Sequence, residues 1–385
     1  MLPEDWKLTT LGKVCEGHLQ TGPFGSQLHA HEYQEIGVTV VMPKDIINCR
    51  VDASKAAKIT IQRAEDLKKH QLLAGDLLFS RRGDVTRFAL IDEKSEGSLC
   101  GTGCLKARPS KNHSPIFLSY ILQRNMVKTW LEHNAVGQTM PNMNTAILAE
   151  LPLISASSRE EEDKIAQILS TWDKAIDKLE ALIAAKQKRK KALMQQLLTG
   201  KQRFPCFDQE WKHTYLKNVC SIFKGEQLNK IELTKTGDYP ALNGGVSPSG
   251  FTDKFNTEAN TITISEGGNS CGFVNYITQQ FWCGGHCYTL KNLTVNKAYL
   301  YQFLKSIEVD IMKLRVGSGL PNIQKKDIEI VNIKIPSSEE QQKIAIILTI
   351  ADNEITIHQN QLTALKKQKK ALMQQLLTGK VRVAV

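Results

Sequence analysis

Two identical twelve-residue stretches constrain the fold of this chain more than any other sequence feature. Residues 190–201 and residues 369–380 both read KKALMQQLLTGK. Weaker matches extend the similarity outwards: residues 136–143 (VGQTMPNM) correspond to residues 316–323 (VGSGLPNI), and Asp5-Trp6-Lys7 corresponds to Glu210-Trp211-Lys212. A period of about 180–200 residues is too long for a solenoid repeat. The sequence therefore predicts a duplicated domain with a connector after each copy.

Each connector has the sequence pattern of a long helix. Ser158 with Glu161, and Ser337 with Glu340, fit the capping box, in which the serine accepts a hydrogen bond from a free backbone N–H and the glutamate reaches back. Apolar residues then alternate at spacings of three and four, which is the seam of a coiled coil. The predicted seam residues are Ile165, Trp172, Leu179, Leu193 and Leu197 in the first helix, and Ile344, Ile355, Leu365, Leu372 and Leu376 in the second.

The ends of these helices and the chain direction predict how they pair. Gly200 and Gly379 supply the left-handed residue that ends a helix, so each helix spans about 40 residues and roughly 60 Å. The first helix leads into the second domain and the second helix leaves it, so we expect an antiparallel pair with one globular domain at each end and pseudo-twofold symmetry. The alternative is two amphipathic helices packed inside one compact domain.

The globular parts, residues 1–155 (body 1) and 204–335 (body 2), mix strand and helix signals. Residues 75–80 and 260–265 read as matched turns and buried strands, and each strand ends in a polar loop. One helix is expected to precede each Pro-Asn turn, over residues 116–132 and 298–314. The predicted fold class is α+β, divided into body 1, a central helix at 156–203, body 2 and a C-terminal helix at 336–385.

Composition restricts the class of protein. Fifty Lys and Arg minus 39 Asp and Glu give a formal charge of +11, with 41% hydrophobic residues, which indicates a globular chain that attracts a polyanion. No stretch of about 18 apolar residues is long enough to span a bilayer, and the first residues lack the pattern of a signal peptide. We therefore expect a cytoplasmic protein with no membrane partner. Nine cysteines spread thinly over the chain suit reduced thiols.

A search for catalytic motifs is negative. The chain has no G-x-x-x-x-G-K-[ST] phosphate loop, no H-E-x-x-H zinc motif and no Pro-Pro dipeptide of the kind found in an amino-methyltransferase loop. We accordingly predict no catalytic residues and no cofactor.

Two cysteine pairs leave two readings open. Cys100 and Cys104, and Cys283 and Cys287, both fit C-G-x-x-C at matching points of the repeat. Four thiolates with His286 have the ligand types of tetrahedral zinc. The favoured interpretation is a duplicated strand-end motif whose thiols pack as small hydrophobic groups, with no metal bound.

Basic and amide side chains offer two candidate DNA surfaces. The lysines and Arg189 near the end of each long helix either face phosphates or form a solvated face that complements the helix dipole. Loops of the bodies carry arginines and amides, which are the side chains that read guanine and adenine edges in the major groove. The candidate DNA-binding residues are Gln20, Thr21, Arg81, Arg82 and Arg87 in body 1, and Lys224, Asn243, Asn269, Lys313 and Arg315 in body 2.

The duplicated Trp-Lys dipeptides, the strand ending in Phe79-Ser80-Arg81-Arg82-Gly83, the paired Pro-Asn turns and both KKALMQQLLTGK tails carry a resemblance. Over nearly the whole chain, the sequence resembles the DNA-specificity subunit of type I restriction–modification systems. The helix tails are the most specific part of the resemblance, and the bodies match only in outline.

The resemblance implies a function and a set of partners. In that family each body is a target-recognition domain that reads one half of a split site on double-stranded DNA through the major groove, and the two helices form an antiparallel coiled coil that fixes their separation. The family subunit is not catalytic. It binds two adenine methyltransferase subunits. ATP-dependent subunits with nuclease and translocase activity then join this complex. Two other classes stay open: a non-DNA scaffold whose helices only space two protein-binding bodies, and a self-contained DNA-modifying enzyme.

Overall fold

A computed structural model describes residues 2–137, 139–317, 319 and 321–384. The chain folds into two compact units, Met1–Lys178 with Thr363–Val385 (unit 1), and Leu179–Leu362 (unit 2). Each unit contains one body, the start of the long helix that follows it, and the end of the other long helix. The predicted division at 155/156, 203/204 and 335/336 cuts the chain differently and stays a prediction.

Unit 1 holds the first set of elements, with the second half of α6 continuing into unit 2. Its strands are β1 Lys7–Thr10, β2 Leu19–Thr21, β3 Val38–Val41, β4 Ile46–Ile47, β5 Arg50–Val51, β6 Ala57–Ile59, β7 Leu77–Ser80, β8 Phe88–Leu90, β9 Leu99–Cys100, β10 Cys104–Ala107 and β11 Pro152–Ser155. Its helices are α1 Leu11–Val14, α2 Ile61–Asp66, α3 Pro115–Leu122, α4 Asn125–Asn134, α5 Thr145–Ala149 and the first part of α6 Arg159–Leu197.

Unit 2 holds the second set of elements, with the end of α10 continuing into unit 1. Its strands are β12 Lys212–Tyr215, β13 Ser221–Lys224, β14 Tyr239–Leu242, β15 Gly250–Thr252, β16 Thr261–Ser265, β17 Val274–Ile277, β18 Trp282–Cys283, β19 Cys287–Lys291 and β20 Asn332–Ile335. Its helices are α7 Lys297–Ser306, α8 Glu308–Lys313, α9 Lys325–Glu329 and the first part of α10 Ser338–Leu376.

Three sheets of body 1 have counterparts with the same strand order in body 2, and body 1 also contains the two-stranded sheet β4-β5. An antiparallel four-stranded sheet has the order β2-β10-β7-β8 in body 1 and β13-β19-β16-β17 in body 2. A three-stranded sheet, β6-β3-β9 or β15-β14-β18, lies beside it and contains one parallel pair. The first and last strands of each body close it as an antiparallel pair, β1 with β11 and β12 with β20. The mixed content of helix and sheet and the internal repeat are as the sequence predicts.

The central strand of body 1 is buried on both faces. Leu77 and Phe79 belong to the main core, whereas Leu78, which points to the opposite face, belongs to a smaller core with Cys100 and Cys104. A strand buried on both faces reads as a continuous apolar run, and this is why residues 77–79 lack alternation. The predicted strands at 75–80 and 260–265 are therefore confirmed as β7 and β16.

One expectation was wrong: two helices, not one, precede each Pro-Asn turn. The predicted helix at 116–132 is α3 followed by α4, and the predicted helix at 298–314 is α7 followed by α8. Leu118 and Val127 are both buried in the core of body 1. Nine residues at 100° each would place them on opposite sides of one helix, so a break is needed to bring both into the same core.

The two long helices have the length that the sequence predicts. α6 and α10 are each 39 residues long, and Gly200 and Gly379 follow them with φ of +74° and +68°. Among the described residues, no helix is long and apolar enough to cross a membrane.

The predicted capping boxes are only half present. The Ser158 hydroxyl accepts from the backbone N–H of Glu161 at 3.3 Å, and Ser337 caps Glu340 in the same way at 3.3 Å. The two glutamates have other partners than the expected backbone N–H, because each is buried under a tryptophan.

In unit 1, Glu161 joins three parts of the chain. It accepts hydrogen bonds from Trp6 Nε1 at 3.1 Å and from Arg382 Nε at 2.6 Å, and Arg382 also binds Asp5 at 2.8 Å. Burial alone would raise the pKa of Glu161, but the hydrogen bonds from Arg382, Ser157 and Trp6 outweigh it and hold the pKa below its ordinary value. The cluster fastens the C-terminal segment to the first residues of body 1.

Unit 2 repeats this cluster with a different chain connection. Glu340 accepts from Trp211 Nε1 at 3.0 Å and from both Nε and Nη2 of Arg203, at 3.0 and 2.8 Å. Arg203 lies in the segment just before body 2, whereas Arg382 lies at the end of the chain. A tryptophan, a glutamate and an arginine therefore form the same cluster in each unit. The arginine precedes its body in unit 2, whereas in unit 1 it follows its body by more than 200 residues.

Candidate nucleic-acid interface

The loops of body 1 gather at one edge of its main sheet. Gly22, which follows β2, donates to the carbonyl of Cys104 at 3.0 Å, and Arg81, which follows β7, donates to Gly103 at 2.8 Å. A Cβ on Gly22 would lie 1.9 Å from the carbonyl oxygen of Gly101, so only glycine permits this approach. The Pro-Asn hairpin joins the same edge, because Gly83 donates to the carbonyl of Pro141 at 3.1 Å.

The predicted residues Gln20 and Thr21 lie on β2, next to this edge. Gln20 pairs across the sheet with Lys106, and the Thr21 carbonyl contacts Nδ1 of His70 at 3.0 Å. Both side chains are half-buried.

Arg81 has the most distinctive setting of the predicted residues in body 1. Its guanidinium carbon lies 5.6 Å from the ring centroid of Phe24, a side chain that is 53% exposed. Its Nε is buried without a hydrogen-bond partner among the described residues, as is Oδ1 of Asn142 in the adjacent hairpin. A buried polar atom without a partner is unusual, and a bound ligand, ion or water is one explanation for it.

The other two arginines of this loop differ in how free they are. Arg82 is exposed and forms a backbone bridge with Asn142. Arg87 pairs with Asp84 at 2.9 Å, which ties its side chain back to its own turn.

Body 2 builds the same edge from the corresponding loops. Gly225, after β13, donates to the carbonyl of Cys287 at 2.9 Å, and Gly268 donates to Pro321 of the second Pro-Asn hairpin at 2.9 Å. The hairpin residues Ser318 and Leu320 of the predicted match, like Gln138 in body 1, lie outside the described residues.

The predicted residue Lys224 is part of a polar cluster at this edge. Its ammonium donates to Glu266 Oε1 at 2.6 Å, and the Tyr288 hydroxyl donates to the same oxygen at 3.0 Å. The second oxygen, Oε2, has no hydrogen-bond partner among the described residues and lies 3.5 Å from Nδ1 of His286. Burial raises the pKa of Tyr288, and its hydrogen bond to Glu266 raises it further.

The two predicted asparagines lie beside that cluster. Asn243 accepts the backbone N–H of His286 at 3.2 Å, and exposed Asn269 lies next to Ser270, whose hydroxyl donates to the carbonyl of Gly244 at 2.5 Å. The end of β13 with Lys224 and the loops with Asn243 and Asn269 are thus brought together.

The remaining two predicted residues of body 2, Arg315 and Lys313, lie in different places. Exposed Arg315 precedes Val316, which pairs through its backbone with Asn322, and Asn322 bridges to Gly267 at the edge. Lys313 pairs with Asp310 at 2.7 Å on the surface of α8. Arg315 therefore belongs to the edge, whereas Lys313 does not.

Equivalent positions of the two edges carry opposite charges. Arg81 is the first residue after β7 and Glu266 is the first residue after β16, and the backbones of both bind the matched hairpin, through Met143 and Ile323. One backbone framework therefore carries a cation in body 1 and, in body 2, a buried anion that is paired with Lys224.

The four cysteines of the C-G-x-x-C motifs pack as apolar groups. Cys100 and Cys104 belong to one small core of body 1, and Cys283 and Cys287 belong to another in body 2. Burial raises the pKa of the Cys100 thiol to about 12, which disfavours the thiolate that a metal requires. No group of three or more His, Cys, Asp or Glu with metal-ligand geometry occurs among the described residues.

The predicted seam residues at the ends of the long helices pack into the bodies. Ile165 and Leu376 are buried in the core of unit 1, with Leu372 against it, and Leu197 and Ile344 are buried in the core of unit 2, with Leu193 against it. Of the remaining four, Ile355 is buried and Trp172, Leu179 and Leu365 are half-buried.

Each unit also contains a matched ion pair between the two long helices. Lys369 of α10 binds Asp173 of α6 in unit 1, and Lys190 of α6 binds Asp352 of α10 at 2.5 Å in unit 2. Each lysine side chain is 12% exposed, so neither is available to a phosphate. In unit 2, Lys186 of α6 also binds Glu354 of α10. Together with the pair of Lys190 and Asp352, this contact shows that the two helices run antiparallel within this unit.

Sequence reasoning missed two features of this structure. No motif or spacing in the sequence indicates that the Phe24 ring lies beside Arg81. The tryptophan–glutamate–arginine clusters did have a signal: Trp6 and Trp211 were matched already, and Arg203 and Arg382 each lie two residues after the last lysine of a KKALMQQLLTGK tail.

Comparison with known proteins places the chain in a family. A family model for the type I restriction modification DNA specificity domain matches residues 3–187 and again residues 208–367. A Methanocaldococcus jannaschii protein named as the MjaX type I restriction enzyme specificity subunit is 28% identical over 415 residues, which cover 99% of this chain and 95% of that protein. The MjaVIII specificity subunit of the same organism is 23% identical over 425 residues, covering 99% and 94%.

A solved structure shows the same fold. The S subunit of the type I restriction–modification system from M. genitalium aligns with a TM-score of 0.73 and 20% identity over 96% of each chain. The repeated match of the family model follows the repeat seen in the sequence and in the two bodies. This chain belongs to the family of type I restriction modification DNA specificity proteins.

Proposed function

We propose that this chain is the DNA-specificity subunit of a type I restriction–modification complex, in which each body reads one half of a bipartite, asymmetric site. One observation carries this: the two loop edges share a backbone framework but differ in their polar side chains, as at Arg81 and Glu266. A shared framework with different side chains suits two readers of different sequences. Because the half-sites differ, the whole target is asymmetric.

Reading at body 1 centres on Arg81. A guanidinium offers parallel donors to O6 and N7 of guanine in the major groove, and the exposed Phe24 ring holds its plane. Gln20, Thr21 and Arg82 lie along the same edge. At body 2, the amides of Asn243 and Asn269 and the guanidinium of Arg315 supply the groups that contact base edges or phosphates.

We further propose that α6 and α10 form an antiparallel coiled coil that sets the gap between half-sites. The ion pairs of Lys369 with Asp173 and of Lys190 with Asp352 support this, because each joins the two helices in the same way within its own unit. A helix of 39 residues is about 58 Å long. That length corresponds to more than one turn of duplex DNA, so the gap contains bases that are not read.

The subunit itself is non-catalytic, and its partners supply the chemistry. We propose that two adenine methyltransferase subunits dock on the helix tails and that ATP-dependent restriction subunits join them. The tails favour a partner present in two copies, because identical residues are exposed in both: Lys191, Gln195 and Gln196 in the first, and Lys370, Gln374 and Gln375 in the second.

The test uses the chain expressed with its methyltransferase subunits. Mapping methylated adenines across a genome should return one motif with two different half-sites and a fixed unread gap. Binding of the purified complex to duplex DNA should weaken steeply as salt rises, because each phosphate contact releases counterions. A contiguous or palindromic motif would contradict two separate readers. Absence of salt-dependent duplex binding would favour the non-DNA scaffold instead.

A further inference from the structure

Body 1 contains a cleft beside its loop edge whose cationic side chains are not among the predicted DNA-binding residues. The cleft has a volume of about 290 Å³ and is lined by Gly17, His18, Leu19, Gln20, Lys69, Lys106 and Arg108. None of the described residues that line it is acidic. Three cationic side chains and one imidazole therefore share a small polar space.

Lys106 forms the floor of the cleft and is held in place. Its side chain is almost wholly buried, and its ammonium donates to the carbonyls of Lys69 and Gln71, each at 2.9 Å. Burial lowers the pKa of Lys106 because these carbonyls replace water without cancelling the charge. An ammonium has three donors, so one is left over for an anion.

Arg108 forms one wall and is also fixed. Its Nε and Nη2 donate to the buried carboxylate of Asp76 at 2.6 and 2.8 Å. This fork uses one edge of the guanidinium and leaves Nη1, on the far side of the group, without a recorded bond among the described residues. Lys69 and His18 are exposed and lie at the rim.

The position of the cleft suits a contact with a DNA backbone. Gln20 of β2 pairs with Lys106 of β10, and Gly22, two residues further along the chain, lies at the loop edge. At about 3.3 Å per residue, the cleft lies within roughly 10 Å of that edge. The major groove is about 12 Å wide, so loops inside it have a phosphate strand at this distance.

Among the described residues, body 2 has different side chains at the positions that line this cleft, although its main sheet has the same strand order. Phe223 and Thr289 occupy the positions of Gln20 and Lys106, and Lys291, at the position of Arg108, lies 5.5 Å from the Phe223 ring centroid. The cationic cleft is therefore not a by-product of the shared topology.

We propose that this cleft binds a phosphate group of the DNA backbone beside the half-site that body 1 reads. The proposal rests on the proposed function and adds to it a positioning contact that carries no sequence information. Lys106 and Arg108 provide two fixed donors, and Lys69 and His18 close over the phosphate from the rim.

The experiment measures duplex binding by the full chain in complex with its methyltransferase subunits, with Lys69→Ala as the test variant and Lys68→Ala as its matched control. Both lysines are exposed neighbours, but Lys68 lies outside the cleft lining and pairs with Glu65 at 3.8 Å. Lys69→Ala should weaken target and non-target duplexes by the same factor and reduce the slope of log affinity against log salt by about one. Lys68→Ala should match the wild type.

Three outcomes overturn the proposal. A Lys69→Ala slope equal to that of Lys68→Ala would leave the proposed function standing and remove this site. Protection of the wild type against heat by millimolar inorganic phosphate, lost in Lys69→Ala while duplex binding is unchanged, would assign the cleft to a free phosphate compound instead. Absence of any duplex binding by the wild type would overturn the proposed function and the site with it.

Discussion

Arg81 is the side chain of body 1 whose surroundings best fit the reading of a base. It has no ion pair recorded among the described residues, it lies over an exposed ring, and its Nε is buried without a partner. Arg87, in the same loop, pairs with Asp84 instead. The two arginines therefore make a matched pair for a test.

Replacing Arg81 with alanine should relax the specificity of one half-site at one position. A bidentate contact to guanine contributes about 1–3 kcal/mol of discrimination, and the variant should lose that amount only for duplexes that carry the preferred base. Binding to a set of duplexes with single changes in both half-sites measures it. Arg87→Ala should change little, and an equal loss on every duplex would show that Arg81 contacts the backbone.

We expect the Glu161 side chain to contribute to the stability of unit 1, because it binds both Trp6 and Arg382. Glu161→Gln removes the charge that Arg382 faces and should lower the free energy of unfolding by about 1–3 kcal/mol, as for other buried charge-assisted hydrogen bonds. Thermal or urea unfolding measures it. Asp163→Asn, which alters an exposed ion pair with Arg159, is the control and should stay within about 0.5 kcal/mol.

The same substitution predicts a dependence on pH. The pKa of Glu161 is depressed in the folded state, so its contribution is fully present above the unfolded value near 4.5 and is lost as the pH falls through the folded value. The stability difference between wild type and Glu161→Gln should therefore be constant at neutral pH and shrink below about pH 4.5. A difference that grows on acidification would contradict this assignment.

At the scale of elements, the long helices depend on a few ion pairs as well as on their apolar residues. Lys190→Ala and Lys369→Ala should each lower the unfolding temperature, because each leaves a partly buried aspartate without its lysine. Lys191→Ala and Lys370→Ala alter the exposed neighbours and should not. If all four variants unfolded alike, the pairs would have no special role.

The length of the helices predicts the gap in the target. Four residues inserted at Ala184 alone would shift one helix against the other. The more informative variant therefore has a second insertion of four residues at Thr363, the matched position of α10. Each helix then gains about 6 Å, and the unread gap should lengthen while both half-sites stay the same. Mapping of methylated adenines measures the gap. An unchanged gap in a folded double insert would contradict the proposal that the two helices set the gap.

At the scale of the whole molecule, the repeat predicts that the readers are exchangeable. Replacing residues 1–155 by a different body should change one half-site and leave the other unchanged. The structure adds a condition: the incoming body needs a tryptophan and an aspartate where Trp6 and Asp5 stand, because Glu161 and Arg382 remain in the host chain. Methylated motifs that changed in both halves would contradict independent reading.

Sequence alone determined the features that depend on local pattern and on repetition. The duplication, both 39-residue helices with their glycine ends, and strands β7 and β16 all follow from identical runs, helical spacing and apolar runs. These signals are local, since a cap or a buried strand is recorded in neighbouring residues. Arg81 and Asn243 lie in loops, as the sequence predicts, whereas Gln20 and Lys224 belong to strands β2 and β13.

Only the tertiary structure decided which partners those residues take. Glu161 fits a capping box in sequence, yet it binds Trp6 and Arg382, which are 155 and 221 positions away. Lys106 and Lys69 are unremarkable in sequence and meet because β10 crosses the sheet beside a short helical turn. The physical reason is the same in each case: a buried charge takes the partner that packing brings to it, and packing between distant segments leaves no periodic trace in the sequence.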